Sequence, residues 1–469
     1  MAIAHCGPGH CADYVLFVDT IYLDHAGAAL YPTSIIQDHA KELTSTLFSN
    51  PHSRSLPSIA TTARIAKIRL RVLEFFSANP EFFEVVFVAN ATAGIKLVAD
   101  GFCGYPNGFR YKYLRDVHTS LLGVGALAQE SQCLSESETA SWLNSDAVED
   151  NASLALFAYP AQSNFNGRRF PLDWIQQARR RGWYSLLDAA SYLTTTPLYY
   201  SDHTTAPDFT VFSFYKIFGY PDLGAVIIRR DAGHILRQRR YFGGGTRAAV
   251  TSDSFHAARS ELHEALEDGT LPFHTILALD SAFMHFTRLY GCHANISRHS
   301  ATVSRLMFTL LSSLRHHNGR RVCQLYSSPA NSGPIVAFNV VSAYGSPVGF
   351  ASFEKLSSLR NIAVRTGGMC NPGGVEQHLD LQDWEVKRNF EAGKVCGDDM
   401  DVVQGKGTGV IRVSFGACST VQDVTAFVDF IREFYLEKGP VASMDGIEPQ
   451  TSMTIQSIHL CKYSLLFPF

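Results

Sequence analysis

No apolar run in the 469 residues approaches the ~20 needed to cross a bilayer. The first residues also lack the basic flank and apolar core of a secretory signal. Neither a membrane partner nor export is expected. Charge of one sign is missing too: 40 Lys and Arg stand against 43 Asp and Glu, scattered along the chain. Without a basic field, nucleic acid is not expected as a partner. The 10 cysteines include no CxxC pair and no regular spacing, which argues against a disulfide framework and for reduced thiols in the cytoplasm. His5–Cys11 (HCGPGHC) holds two His and two Cys, but no second ligand pair follows at finger spacing. Between a metal clip and a mobile tail, its glycines and proline favour the tail.

What is present is an alternation of buried strands and helices from Val85 to Ile228, the pattern of a mostly parallel sheet with helices on both faces. The strands read as Val85–Val88, Leu154–Pro160, Trp183–Asp188, Val211–Phe214 and Gly224–Ile228. Ile59–Phe76 reads as a helix with Ile59, Ala63, Ala66, Leu70 and Leu73 as its apolar stripe. Ile21–Leu30 reads as a short strand entering a small-residue turn, with a helix from about Ser34. Long helical patterns run from Leu277 to Leu314, and a smaller mixed segment occupies Gln324–Glu433. Pro440–Gln450 reads as a polar linker and Met453–Phe469 as a strand-like tail.

Ligand groups cluster at the carboxyl ends of such strands, and several chemically suited residues fall there. In VFSFYKIFG, a single lysine, Lys216, stands among aromatic residues. Desolvation there lowers an amine's pKa and favours the free base that attacks an aldehyde; the alternative is an apolar stem with its ammonium in water. Ser213 could give a hydroxyl to a phosphate, and Gly219 and Gly224 supply a tight turn. That set suits pyridoxal 5'-phosphate (PLP). Asn90–Gly94 (NATAG) ends a strand ahead of a helix and offers amides and the Thr92 hydroxyl to a phosphate; Thr92 as an ordinary N-cap is the competing reading. Asp188 at a strand tip could pair with a protonated ring nitrogen or cap a helix. His118 precedes another helix and could equally be a packed histidine. Gln162, Ser163 and Asn164 follow the Leu154–Pro160 strand. Tyr241–Thr246 (YFGGGT) could reach a phosphate across a dimer interface. Cys370 lies in a glycine-rich, mobile-looking loop (Ala363–Gly374), where exposure is expected. Arg412, on an alternating strand Ile411–Gly416, could grip a carboxylate with two parallel hydrogen bonds.

Read together, YLDHAGAAL, NATAGIK, HTSLLG, PAQSNFNG, LLDAA, SFYKIFG, FGGGT, LEDGTLPF, RTGGMCNPGG and IRVSFG resemble the amino-terminal, NifS-like domain of the eukaryotic molybdenum cofactor sulfurases. These belong to the class V aminotransferase and cysteine desulfurase superfamily. The resemblance spans nearly the whole chain in family order. It implies the PLP-dependent transferase fold type I: a large doubly wound, mostly parallel seven-stranded-type sheet domain plus a smaller α+β domain. It further implies an arm (1–35) joined to the small domain, a large PLP-binding domain (36–300) and a small domain carrying the Cys370 loop (301–438). Residues 439–469 would be a linker and the remnant start of a missing MOSC-type region.

By the same resemblance, Lys216 is the Schiff-base lysine, Asp188 the partner of the pyridine nitrogen and His118 the ring-stacking histidine. Asn164 contacts the ring hydroxyl. Thr92, Ala93 and Ser213 hold the phosphate, with Thr246 from a second subunit. Arg412 clamps the substrate carboxylate, and Cys370 receives sulfur as a persulfide. Tyr215 and Ser191 stand where bacterial desulfurases keep a histidine and a glutamine. The implied activity is a PLP-dependent L-cysteine desulfurase, acting as a cytoplasmic homodimer and passing sulfur to an acceptor such as molybdenum cofactor or its carrier domain; no metal is implied. A PLP-dependent C–S lyase, a non-catalytic sulfur carrier and a product needing its other half in trans are the competing readings.

Overall fold

The computed structural model describes residues 13–14, 20–145 and 153–439. Residues 1–12 and 15–19 of the expected arm, with His5–Cys11 among them, and Pro440–Gln450 and Met453–Phe469 lie outside these.

Short runs of β-branched and aromatic residues form the strands of the main sheet. They are β2 (Phe83–Val88), β3 (Phe109–Leu114), β4 (Glu130–Leu134), β5 (Leu154–Pro160), β6 (Tyr184–Asp188), β7 (Phe209–Ser213) and β8 (Gly224–Arg229), after a two-residue β1 (Ile21–Tyr22) that lies elsewhere. Their spatial order is β2-β8-β7-β6-β5-β3-β4. β4, β3, β5, β6 and β7 run parallel, while β8 is antiparallel to both β7 and β2. β2 therefore points the same way as β7. The expected doubly wound, mostly parallel sheet is the one found. Every residue of β7 is buried, as a strand covered on both faces must be.

A second, antiparallel sheet takes the strands Cys323–Leu325, Ile335–Val340, Val410–Ser414 and Arg365–Gly367 in that order. Its core includes Leu23, just after β1, and β1 pairs in parallel with Ile362–Ala363. The earliest strand of the chain thus packs with the last third of it. The long helices Phe273–Tyr290 and His293–Ser313 follow one another, broken at Gly291, and the second packs on this smaller sheet.

Helix α1 spans Thr33–Ser45 and α2 spans Leu56–Phe75. In α2 the structure corrects the expected stripe. Thr61, Ile65, Ile68, Arg69, Val72 and Leu73 face the core, whereas Ile59 and Leu70 are 56% and 54% exposed. Both faces of this helix carry apolar residues at helical spacing, so periodicity alone did not say which one is buried. The inward arginine has a specific partner. Arg69 and Glu267 form a two-pronged ion pair, Nη1–Oε1 2.7 Å and Nη2–Oε2 3.0 Å, with both side chains buried. Glu267 also accepts the Phe87 amide at 2.8 Å, and Arg69 donates to the Val85 carbonyl. The pair thereby fastens α2 to the edge strand β2.

Truncating one partner strands a buried charge. Arg69→Met is expected to lower unfolding free energy by about 3–5 kcal/mol, with part of the loss recovered in Arg69→Met/Glu267→Gln. Urea denaturation followed by circular dichroism measures both; an unchanged midpoint for the single variant would contradict the assignment.

Candidate active site

Because β2, β3, β5, β6 and β7 share a direction, their carboxyl ends lie along one edge of the sheet. The segments that leave those ends carry Thr92, His118, Asn164, Asp188, Ser213 and Lys216, and all six line one cleft that opens to solvent. After Ser213 the chain makes a single helical turn, Tyr215–Phe218, which stops at Gly219 with φ +79°. A Cβ on Gly219 would lie 2.5 Å from the Tyr31 nitrogen, so only glycine fits where this turn meets the Leu30–Tyr31 main chain. That stop leaves Lys216 facing the cleft.

Burial pushes the Lys216 amine below its ordinary pKa; Asp188 and Asp24 oppose this, and Arg412 and Arg365 reinforce it. The amine is thus poorer in protons than a surface lysine, as a nucleophile requires. His118 is likewise pushed down by burial, against the pull of Asp188 and with the help of Lys216. Its Nδ1 accepts the Ser120 amide at 3.1 Å, which leaves the proton of the neutral ring on Nε2. Asp188 is buried, with Oδ1 accepting the Ala190 amide at 2.9 Å.

One end of the cleft sits at the start of α3 (Ala91–Cys103). The cap of this helix is Asn90, not Thr92: Asn90 Oδ1 accepts from the Ala93 amide at 3.0 Å. Ser213 Oγ accepts the Ala91 amide at 3.0 Å. Ala93 is therefore committed within the cap and does not line the cleft. Thr92, released from capping, exchanges a 2.8 Å hydrogen bond with Ser120 Oγ. Gly224 serves this corner by its lack of a side chain rather than by turn freedom. A Cβ there would stand 2.6 Å from Asn90 Cα and 2.8 Å from the Phe212 carbonyl oxygen.

The Cys370 segment differs from the expected mobile loop. Cys370 is exposed, but its backbone is fastened. The Thr119 amide donates to its carbonyl at 2.8 Å, and Asn164 Nδ2 donates to the Met369 carbonyl at 2.7 Å. Met369 and Cys370 are consecutive left-handed residues, φ +56° and +51°. Each such residue costs about 1–2 kcal/mol, so the turn persists because its surroundings hold it. Asn164 has both ends of its amide engaged here, since its Oδ1 accepts from Asn371 at 3.0 Å.

Two further expected residues lie outside the cleft lining. Arg412 is expected on an alternating strand, Ile411–Gly416; its strand Val410–Ser414 is buried throughout. Its Nη2 pairs with Asp24 Oδ1 at 2.7 Å and its Nη1 donates to the Asn164 carbonyl at 2.8 Å. Arg412 acts on the cleft by its field, felt at Lys216, from just behind the lining. Thr246 is fully buried, and its hydroxyl donates to the Gly243 carbonyl at 2.7 Å, closing its own glycine turn away from the cleft. Residues that sequence reasoning missed are Asp24, Ser120, Asp116 and Asn371. The last two flank His118 and Cys370, but nothing in their local sequence signals a contact between them. Gln162 was noted only by position; its amide donates to Ser191 O and Oγ at 3.1 Å, so a glutamine reaches Ser191 from another strand.

The donor set fits PLP. A depressed lysine amine can take the aldehyde, the Asp188 carboxylate a ring N–H, the flat His118 ring a π-face, and Thr92, Ser213 and the α3 amino end a phosphate.

The aminotransferase class V profile matches residues 21–427. The molybdenum cofactor sulfurase of Chaetomium globosum is 50% identical over 439 residues, 90% of this chain and 56% of its own length. That of Neosartorya fischeri is 49% identical, covering 94% of this chain and 55% of its own. The chain thus spans just over half the length of these relatives. Among solved structures, the apo cysteine desulfurase of Thermococcus onnurineus superposes with a TM-score of 0.74 at 19% identity, covering 93% of this chain and 99% of that one. This last likeness is one of fold.

Gly224→Ala is expected to push the Asn90 cap outward and weaken PLP binding on the order of tenfold, about 1.4 kcal/mol. Spectroscopic titration of the apo protein with PLP measures it; wild-type affinity would show that the close approach is not needed.

Proposed function

The chain belongs to the aminotransferase class V family, and from that premise we propose that it is a PLP-dependent L-cysteine desulfurase of the molybdenum cofactor sulfurase type. The observation that carries this reading is the tie between the lysine's cleft and the segment that bears Cys370. The proton-poor amine of Lys216 lies in a cleft whose His118 turn and Asn164 are hydrogen-bonded directly to the main chain at Cys370. A lyase reading has no use for a cysteine held in this way.

PLP, when bound, supplies an electron sink for bonds broken around the amino-acid α-carbon. Lys216 Nζ takes and returns the α-proton. Asp188 holds the proton on the ring nitrogen, and Thr92, Ser213 and the start of α3 bind the phosphate. Arg412, oriented by Asp24, draws in the substrate carboxylate. The Cys370 thiolate attacks the sulfur of L-cysteine: an S–S bond forms, the Cβ–S bond breaks, and its electron pair ends in a new C–H bond. The products are L-alanine and a Cys370 persulfide, with atoms and electrons balanced. The name of the relatives supports molybdenum cofactor, or the domain that carries it, as the sulfur acceptor. None of the described cysteines forms a disulfide, in keeping with thiol chemistry in the cytoplasm, and no described helix is long and apolar enough to cross a membrane.

The exposed stripe of α2 (Leu56 83%, Ile59 56%, Leu70 54%) supports a homodimer in which that face is covered. Thr246 would join a partner's phosphate site only by giving up its bond to Gly243.

With L-cysteine, the PLP-loaded protein is expected to yield alanine and protein-bound persulfide. Cys370→Ser should lose the persulfide, and Lys216→Ala should lose borohydride-fixed coenzyme. Persulfide surviving in Cys370→Ser would remove that residue from the reaction. For the dimer, light scattering should give twice the chain mass, falling toward the monomer in Ile59→Glu/Leu70→Glu; a monomeric wild type would contradict the interface.

A further inference from the structure

Asp116 lies two residues before His118 and is buried, with no basic side chain bonded to it. A buried carboxylate is retained only where hydrogen bonds satisfy it. Here Oδ1 accepts from Ser163 Oγ at 2.7 Å and from Asn371 Nδ2 at 2.5 Å. Asn371 is the residue after Cys370, and its side chain is fully committed. The same Nδ2 also donates to Asn164 Oδ1 at 3.0 Å, and its Oδ1 accepts the Gly374 amide at 2.9 Å, capping the helix Pro372–Leu379. On the other side of Cys370, Met369 is buried beside Phe165 and Val375. The residues on both sides of the cysteine and its own carbonyl are therefore fixed, while its side chain alone is exposed.

We propose that Asp116 is a positioning residue for the Cys370 thiol, acting through Asn371 to set the left-handed turn that places the sulfur beside the cleft. This rests on the desulfurase reading for its purpose, but not for its geometry. Asp116 touches no substrate atom. Its work is to hold Asn371 so that two unfavourable backbone conformations persist in succession, giving the thiol one location rather than a swinging loop's many. The function is hydrogen-bond acceptance, and burial already pushes the Asp116 carboxyl pKa up. An amide in its place keeps an acceptor oxygen and should preserve the effect.

The test compares PLP-loaded wild type, Asp116→Asn, Asp116→Leu and Asn371→Ala. Three quantities are measured: hydrogen exchange of the amides from Met369 to Gly374, coenzyme content, and the KM and kcat for alanine release from L-cysteine. Asp116→Leu and Asn371→Ala should each raise exchange in that segment at least tenfold. They should leave coenzyme content and KM near wild type and lower kcat about tenfold or more. Asp116→Asn should stay within about threefold of wild type in all three. Should Asp116→Leu fail to fold, Asn371→Ala decides alone. Unchanged exchange in a folded variant, or equal losses of coenzyme, KM and kcat, would overturn the proposal. If the wild type releases no alanine from L-cysteine, the desulfurase reading fails, and the exchange data still judge the positioning claim separately.

Discussion

Parallel pairing is the constraint from which the site follows. Once β3, β5, β6 and β7 lie side by side in one direction, everything leaving their carboxyl ends is delivered to the same edge. β2 joins them because β8, inserted antiparallel between β2 and β7, reverses direction twice. Five separate connections thus supply one cleft. The register keeps the tips level: Pro160 pairs with Asp188, and Asp188 with Val211. A one-residue slip in any of these pairs would turn its tip side chain to the opposite face.

Within the cleft, charges are arranged against solvation rather than by it. Burial drives Lys216 and His118 toward their neutral forms, and Asp188 opposes both shifts. A lone buried amine would serve as a nucleophile but hold no anion nearby. A fully paired one would stay protonated and could not attack. The two arginines and the two aspartates whose fields reach Lys216 leave it between those extremes.

The sequence carried most of this, unevenly. Strand limits at Leu154–Pro160 and around Asp188 and Lys216 were legible because buried parallel strands are short apolar runs closed by small or polar residues. The buried face of α2 was not, since apolar residues occupy both sides of it and only tertiary packing chooses. The Cys370 segment looked mobile because glycine content reports what the backbone is allowed to do. Its ties to Asp116, Thr119 and Asn164 come from positions more than 200 residues earlier. The same distance hid Asp24 from Arg412, whereas Thr92 read equally as a cap because Asn90, two residues before it, offers the same capping chemistry.

The ion pair of Asp24 and Arg412 joins residues 388 apart in sequence. On the ribosome, the first of them emerges 388 residues ahead of its counter-ion. The nascent main sheet can therefore assemble before this ion pair forms. The buried pair that ties the first strand's neighbour to the small sheet thus closes only after every strand of the main sheet has been made.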